Sequence, residues 1–295
     1  MQIWQPNCLG EPALSVHEAR PFESENRPFN RRNSPYIRFF LTRSEILSPV
    51  GTVRYNAHVI VLSIDTCDPR GSVAVLRERL QLGLTAHDTT EEYSSWLLPT
   101  VGDLLKRIGL RMTDLDAFAV ASGPGSFTGV RVGLTTVKAW GEVYRKPIVP
   151  ISRLRAMAVE AWGDPGYVAA WFDAHRGQVF GGVYKSNGPD LVSVGEEMVI
   201  APRRFVETVT ELIAGDIVTW ASADPGSLFD EAEVKKRAAA GEEFEYVGGM
   251  LAGPVGVLAT EELAAGRFTD ALGLDANYVR RSDAEIFWKG AAHGH

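Results

Sequence analysis

The sequence predicts an α/β fold built from two related halves. Three observations carry that prediction. From residue 58 onward, apolar strand-like runs alternate with 3.6-residue helical periods in the order βββαβαβα. A glycine-rich loop sits between a strand and a helix, at Ser122–Arg131. An apolar run ending in Asp, followed by a glycine-containing turn and a returning strand, occurs twice, at Val59–Asp65 and again at Tyr167–Asp173.

The elements follow in order. Val59 to Ile64 is a continuous apolar run ending at Asp65, which suits a strand buried on both faces. Asp68-Pro69-Arg70-Gly71 is turn chemistry, and Ser72–Leu76 and Leu80–Thr85 continue a three-stranded meander. From Glu91 the period changes: Trp96, Leu97, Val101, Leu104, Leu105 and Ile108 share one helical face, and Gly109 stops the helix. Ala117–Ala121 is the next strand. After the glycine loop a helix runs to Tyr144, then a strand over Pro147–Ile151, then a helix capped by Ser152 and ending at Trp162. In the second half, strands are expected over Tyr167–Phe172, Val179–Tyr184 and Ile217–Ala221. Helices are expected over Pro202–Ala214, closed by Gly215, and over Pro254–Ala265, closed by Gly266. The expected domains are an N-terminal extension at 1–57, a first lobe at 58–162 and a second lobe with a C-terminal tail at 163–295. The boundary falls in Trp162-Gly163-Asp164-Pro165-Gly166.

Composition bounds the classes. The chain has 295 residues, 45% of them hydrophobic and 23% charged, which excludes a wholly disordered chain, a collagen and a disulfide scaffold. Its net charge of −7 argues against a protein that grips a phosphate backbone alone. The two cysteines, Cys8 and Cys67, are far apart and read as a reduced, cytoplasmic protein. No apolar run approaches the ~18 residues of a membrane span, and no basic n-region precedes an apolar core. Residues 1–57 hold seven Arg and five Glu, +2 against −9 for the rest. They read as a poorly ordered extension or as a targeting or docking arm, with only Tyr36–Leu41 suited to a short strand or helical turn; translated upstream sequence is the third reading.

Two constellations invite chemistry. In Ser122-Gly123-Pro124-Gly125-Ser126-Phe127-Thr128-Gly129-Val130-Arg131, glycines admit a close backbone approach and the following helix start offers N–H groups to an anion. Gly123, Gly125, Ser126 and Thr128 are therefore phosphate candidates; the other reading is a tight strand-to-helix turn with no ligand. The loop lacks the Gly-Lys-Ser/Thr of a Walker loop. Asp65, beside Thr66 at the end of a buried strand, could hold a Mg²⁺-bound water or cap the turn toward Arg70 and Gly71. Asp173 holds the matching place in the second half, where the two could face one another across a cleft. Gly129, Gly133, Val137 and Gly141 form one i, i+4 row, with Trp140 on another. Glycine inside a helix costs about 1 kcal/mol against alanine, so the row marks a close backbone approach: either this chain's own sheet or a partner helix. No histidine pair has HxxxH or HExxH spacing in a helix, so no metal site is expected; lone His175 reads as a turn residue and His293 and His295 as a frayed tail. No GxSxG elbow is present, and catalytic residues are not assigned.

A family resemblance rests on these residues. Ile64-Asp65-Thr66, Gly71-Ser72-Val73-Ala74, Leu97-Leu98-Pro99, Asp114-Leu115-Asp116-Ala117 and the Gly123–Arg131 block together resemble the TsaB (YeaZ) family. Phe172-Asp173-Ala174-His175-Arg176-Gly177-Gln178-Val179-Phe180 is similar to its second-lobe motif, and Tyr278-Val279-Arg280-Arg281-Ser282-Asp283-Ala284-Glu285 to its C-terminal signature. The likeness spans about Val59 to Glu285 and is dense up to Leu154.

The resemblance implies the ASKHA fold, an actin-like, ribonuclease H-like α/β architecture of duplicated βββαβαβα lobes. It implies a subunit that is not catalytic alone. Such a subunit binds and supports a TsaD-like partner forming N6-threonylcarbamoyladenosine at position 37 of tRNAs that read codons starting with adenine. TsaD carries the metal and transfers the group, TsaE couples ATP hydrolysis and TsaC makes the donor; tRNA is reached only through the complex, and a homodimer is expected when the subunit is alone. No cofactor is firmly implied beyond ATP or ADP with Mg²⁺ at the partner interface. The first-lobe helices of the two partners bundle, which places Tyr93, Trp96, Gly129, Gly133, Val137, Trp140 and Gly141 at the interface. One departure stands out: the family's His-Ser ahead of Leu-Leu-Pro is Tyr93-Ser94 here. The competing reading from the residues is an ATP-dependent ASKHA phosphotransferase or ATPase using Asp65 and the glycine loop. A peptidase, a label that related proteins have carried, finds no nucleophile–base pair.

Overall fold

The structure, a computed structural model, describes residues 59–162, 166–187, 190–277 and 279. The extension at 1–57, the Tyr36–Leu41 segment, His293, His295 and all of the 278–285 signature except Val279 lie outside the described residues.

The first sheet has the order β3-β2-β1-β4-β5. Its strands are β1 (Ile60–Asp65), β2 (Ser72–Arg77), β3 (Leu80–Ala86), β4 (Ala117–Ala121) and β5 (Ile148–Ile151). β1, β2 and β3 pair antiparallel, while β1, β4 and β5 are parallel. The second sheet contains β6 (Tyr167–Asp173), β7 (Val179–Asn187), β8 (Asp190–Ser193), β10 (Val218–Ser222) and β11 (Glu243–Tyr246), with β9 (Met198–Ile200) added on β7. Its order, β11-β10-β6-β7-β8, repeats the first sheet strand for strand: an antiparallel meander flanked by two parallel strands. The duplicated α/β architecture is therefore present.

The helices are α1 (Tyr93–Ile108), α2 (Phe127–Tyr144), α3 (Arg153–Ala161), α4 (Pro202–Ile213), α5 (Glu231–Ala239) and α6 (Ala252–Ala264). Successive side chains of a strand point to opposite faces, and the two faces of β1 meet different helices. Ile64 faces α2, since a Cβ at Gly133 would lie 3.8 Å from its Cδ1. Ser63 faces α6, donating its hydroxyl to the Ala252 carbonyl at 2.6 Å. That bond satisfies the one polar side chain within an otherwise apolar run. α6 comes late in the chain yet covers the first sheet, so one buried cluster draws on both Leu62 and Leu258. A second cluster is aromatic: Trp171 and Trp220 lie 5.9 Å apart edge to face, and Phe229 lies 4.9 Å from Trp220.

Three departures from the sequence reading have physical causes. α6 begins at Ala252, two residues ahead of the expected Pro254, because proline is tolerated in a first turn whose N–H groups lack helical partners. β7 runs on to Asn187 because β8 pairs with its far end, Tyr184 to Asn187. α5 was not expected from periodicity, and it buries no residue. It is held instead by the Asp230 cap on the Glu233 N–H at 2.8 Å and by an Arg237–Glu233 pair at 2.9 Å.

Glu262 of α6 ties that helix to α3. Its carboxylate meets Arg155 at 2.7 Å and also pairs with Arg267. Burial pushes the carboxyl up, but the two guanidinium partners outweigh it and leave it below the ordinary glutamate value. A depressed native value means stability that is complete above the unfolded-state value and lost as pH falls through the native one. Glu262→Gln is thus expected to flatten the acid side of a thermal stability profile below about pH 4.3; an unchanged acid limb would show the pairs contribute nothing.

Candidate functional site

The C-terminal ends of β1 and β4 face those of β6 and β10 across a cleft of about 870 Å³. Strand ends in α/β sheets are where ligands bind. The cleft is the first place to look for the expected site residues.

Asp65 does not line it. Its side chain is 0% exposed, one oxygen accepts the Cys67 N–H at 2.8 Å, and the other meets Arg153 Nε at 3.4 Å. Arg153, the first residue of α3, is only 3% exposed and also meets Asp68 at 3.4 Å. Burial opposes its charge, yet the two carboxylates outweigh that and raise its proton affinity further. The guanidinium also lies 4.7 Å over the Phe172 ring of β6. Arg153 thereby pins the end of β1 to the end of β6, forming the floor of the cleft. It was not among the sequence candidates, because a lone arginine after a Ser cap carries no sign that it will be buried.

Thr66 is also committed: its hydroxyl donates to the Gly129 carbonyl at 2.7 Å. The glycine loop closes on the β1 turn. The Ser126 N–H donates to the Cys67 carbonyl at 2.8 Å, and the Gly123 carbonyl accepts the Arg153 N–H at 2.8 Å. A Cβ on Gly125 would collide with the same Cys67 carbonyl. Ser126 caps α2 by accepting the Gly129 N–H at 3.4 Å. Thr128 is exposed and outside the cleft lining. Asp65 and Thr66 are therefore committed to the brace of a tight strand-to-helix turn, while Gly125 and the exposed Ser126 line the cleft. It is Asp68, not Asp65, that caps toward Arg70, accepting its N–H at 3.0 Å.

Asp173 does line the cleft, but the two carboxylates share no site. Asp173 accepts the His175 N–H at 2.8 Å and pairs with its ring at 3.2 Å, within an exposed turn where His175, Arg176 and Gly177 all take positive φ. Cys67 also lines the cleft. Burial, then the neighbouring Asp65 charge, pushes its thiol well above the ordinary value, so it stays protonated and donates to the Ala121 carbonyl at 3.3 Å.

The glycine row reads from sequence as a close approach, and the approach is internal. A Cβ on Gly129 would strike the Thr66 carbonyl; one on Gly133 would lie 2.6 Å from Thr66 Oγ1, and one on Gly141 2.7 Å from Ile148 Cδ1. Val137 is fully buried on the same side. These four positions pack on their own sheet, where α2 lies close over β1 and β5. Trp96 is buried too. Tyr93 and Trp140 are half-buried, the latter 5.5 Å from Phe118. Tyr93 turns inward: its hydroxyl accepts the Gly71 N–H at 2.6 Å and donates to the Asp68 carbonyl, while its ring stacks 4.4 Å from His87. Burial pushes that hydroxyl upward from its ordinary value. Exposed instead are Leu98 on α1, at 57%, and Phe127 on α2, at 46% with the Arg131 guanidinium 3.6 Å over its ring; the small residues Ser95 and Gly102 of α1 and Thr135 and Ala139 of α2 are exposed as well.

Among the described residues, no group of three or more His, Cys, Asp or Glu could hold a metal ion, and no helix is long and apolar enough to cross a membrane.

Comparison with known proteins agrees with this architecture. A family model described as "TsaD: tRNA N6-adenosine threonylcarbamoyltransferase" matches residues 79–266. The "tRNA threonylcarbamoyladenosine biosynthesis protein TsaB" of Bacillus subtilis (strain 168) is 34% identical over 151 residues, 51% of this chain and 66% of that protein. The protein of the same name from Escherichia coli (strain K12) is 31% identical over 163 residues, 54% of this chain and 69% of that protein. The matches thus span about two thirds of the length of these curated relatives. The solved structure of YeaZ from Pseudomonas aeruginosa superposes with a TM-score of 0.63 at 25% identity, covering 75% of this chain and 99% of that one. With the same duplicated sheets, the glycine-loop brace and these matched lengths, the chain belongs to the TsaB (YeaZ) family, within the wider family that the TsaD model describes.

Proposed function

We propose that this chain acts in tRNA threonylcarbamoyladenosine biosynthesis as a non-catalytic subunit that docks a TsaD-like partner through the open face of α1 and α2. The observation that carries the reading is the exposure of Leu98 on α1 and of Phe127 on the adjoining α2, with small exposed residues on the same two helices. The names of the relatives supply the pathway. The commitment of Asp65 and Thr66 to internal hydrogen bonds supports an accessory role over a phosphotransferase that would use them. In this reading ATP or ADP with Mg²⁺ belongs at the join with the partner, TsaE acts on the assembled complex, and tRNA is reached only through it.

The test mixes the chain with its cognate TsaD-like protein and follows co-elution. Leu98→Glu and Phe127→Glu are exposed changes with little expected effect on folding, and together they are expected to weaken the complex by about tenfold to a hundredfold. Co-elution unchanged by both would remove the α1–α2 face from the interface. Deleting the chain's gene is expected to remove threonylcarbamoyladenosine from cellular tRNA, measured by nucleoside mass spectrometry. Full retention of the modified base would sink the reading.

A further inference from the structure

His87 follows β3 and lies outside the cleft lining. It is buried, with 8% of its surface exposed, and both ring nitrogens face backbone carbonyl oxygens. Nδ1 lies 2.8 Å from the Pro69 oxygen and Nε2 2.7 Å from the Glu91 oxygen. A carbonyl oxygen only accepts. A neutral imidazole carries one N–H and one lone pair, so it satisfies one of these contacts and sets lone pair against lone pair at the other. The imidazolium donates from both nitrogens. The rings of Tyr93, 4.4 Å away, and Trp96, 4.9 Å away, pack on His87 and keep water from replacing a missing partner.

The two carbonyls belong to segments that this junction brings together. Pro69 lies in the turn between β1 and β2, and Glu91 lies two residues ahead of α1. The His87 N–H adds a bond to the Gly71 carbonyl of the same turn at 2.8 Å. α1 starts without a side-chain cap from Glu92 and without an acid in its first turn. Its seat on the turn is made by the His87 ring and by the Tyr93 hydroxyl, which bonds the Gly71 N–H and the Asp68 carbonyl.

The other charged groups around the junction are accounted for. Asp68 and Arg70 of the turn lie 3.6 Å apart, and Asp68 and Asp65 both meet Arg153 of α3. Asp88, Glu91 and Glu92 are exposed. Burial pushes the Tyr93 hydroxyl upward, so it stays protonated. Histidine is the side chain suited to change charge near neutral pH.

We propose that His87 is a proton-operated latch: as the imidazolium it ties the β1–β2 turn to the start of α1, and on losing a proton to solvent it gives up one tie and loosens the first turn of that helix. The folded chain then holds the proton more firmly than the unfolded chain does. The latch adds stability in acid, and the addition fades as pH rises. Because α1 carries Leu98, the latch also sets the pH range over which the docking face is formed. That consequence rests on the docking reading; the latch itself does not, and its test uses the chain without a partner.

The experiment compares the full chain with His87→Gln by thermal unfolding between about pH 5.5 and about pH 8.5, which brackets the ordinary histidine range. Lost ring packing lowers Tm alike at both ends, whereas lost charge lowers it only at the acid end. The Tm gap is expected to be wider at the acid end by about 4 °C, the worth of one hydrogen bond from a charged donor in a chain of this size. A gap that is constant, or that narrows in acid, would overturn the proposal. Nitrogen NMR of the unaltered chain depends on no variant, with the His87 ring assigned through its contacts to Trp96. Both ring nitrogens are expected to be protonated at the acid end and only one at the alkaline end. Exchange of the Ser95 and Trp96 amides, which bond the Glu92 carbonyl, is expected to quicken about tenfold between the two ends after correction for intrinsic pH dependence. A neutral ring in acid, a ring that keeps both protons throughout, or amide protection that ignores the change would each refute the latch.

Discussion

An Arg153→Met chain is expected to unfold at a markedly lower temperature than the unaltered one. The guanidinium is 3% exposed and stands between two carboxylates, one of them fully buried. Removing one partner of a buried pair leaves an uncompensated buried charge and costs about 3–5 kcal/mol. In a domain of this size that is a fall in Tm of the order of 10 °C. Methionine keeps most of the volume, so the loss reports charge and not packing. Asp65→Asn is expected to cost less, because the amide oxygen can still accept the Cys67 N–H. Combined, the two changes should cost clearly less than their sum, since the second removes the charge that the first stranded. Simple additivity in urea titrations would show that Arg153 and Asp65 do not stabilise one another, and the cleft floor would need another explanation.

Gly129→Val is the second change with a large expected effect. A side chain there meets the Thr66 carbonyl, which belongs to the backbone and cannot rotate away. The first turn of α2 would have to lift from β1, breaking the Thr66–Gly129 hydrogen bond. Overpacking of this kind costs about 3 kcal/mol or more. Gly102, on the exposed face of α1, is the internal control: a Cβ there meets nothing within 4 Å. Gly102→Ala is expected to stabilise by about 0.5–1 kcal/mol through helix propensity. Equal effects from the two changes, measured by chemical denaturation, would refute the close approach of α2 to its own sheet. Any loss of partner binding in Gly129→Val should track unfolding and disappear at temperatures where the variant is folded.

These two changes also separate what the residues announce from what they conceal. The apolar run before Asp65, the helical period from Trp96 to Ile108 and the cap at Ser152 are local signals, and each produced its element within a residue or two. α5 carried no such signal, because a helix with no buried face has no apolar period to display. The glycine row was legible as a demand for closeness, but glycine's lack of a Cβ does not say whose backbone comes near.

Sequence alone therefore determined the α/β class, the twofold repeat of strand, Asp and turn, and the family to which the chain belongs. All of these live in short-range pattern: periodicity, turn residues and a motif of consecutive positions. Tertiary structure decided that Arg153 of α3 fills the place beside Asp65, that Tyr93 points inward to Gly71, and that the glycine row of α2 packs on its own sheet while Leu98 and Phe127 stay exposed. Those outcomes depend on residues as much as 88 positions apart meeting in space. The free energy of a buried charge or a steric collision exists only once both members have been brought together.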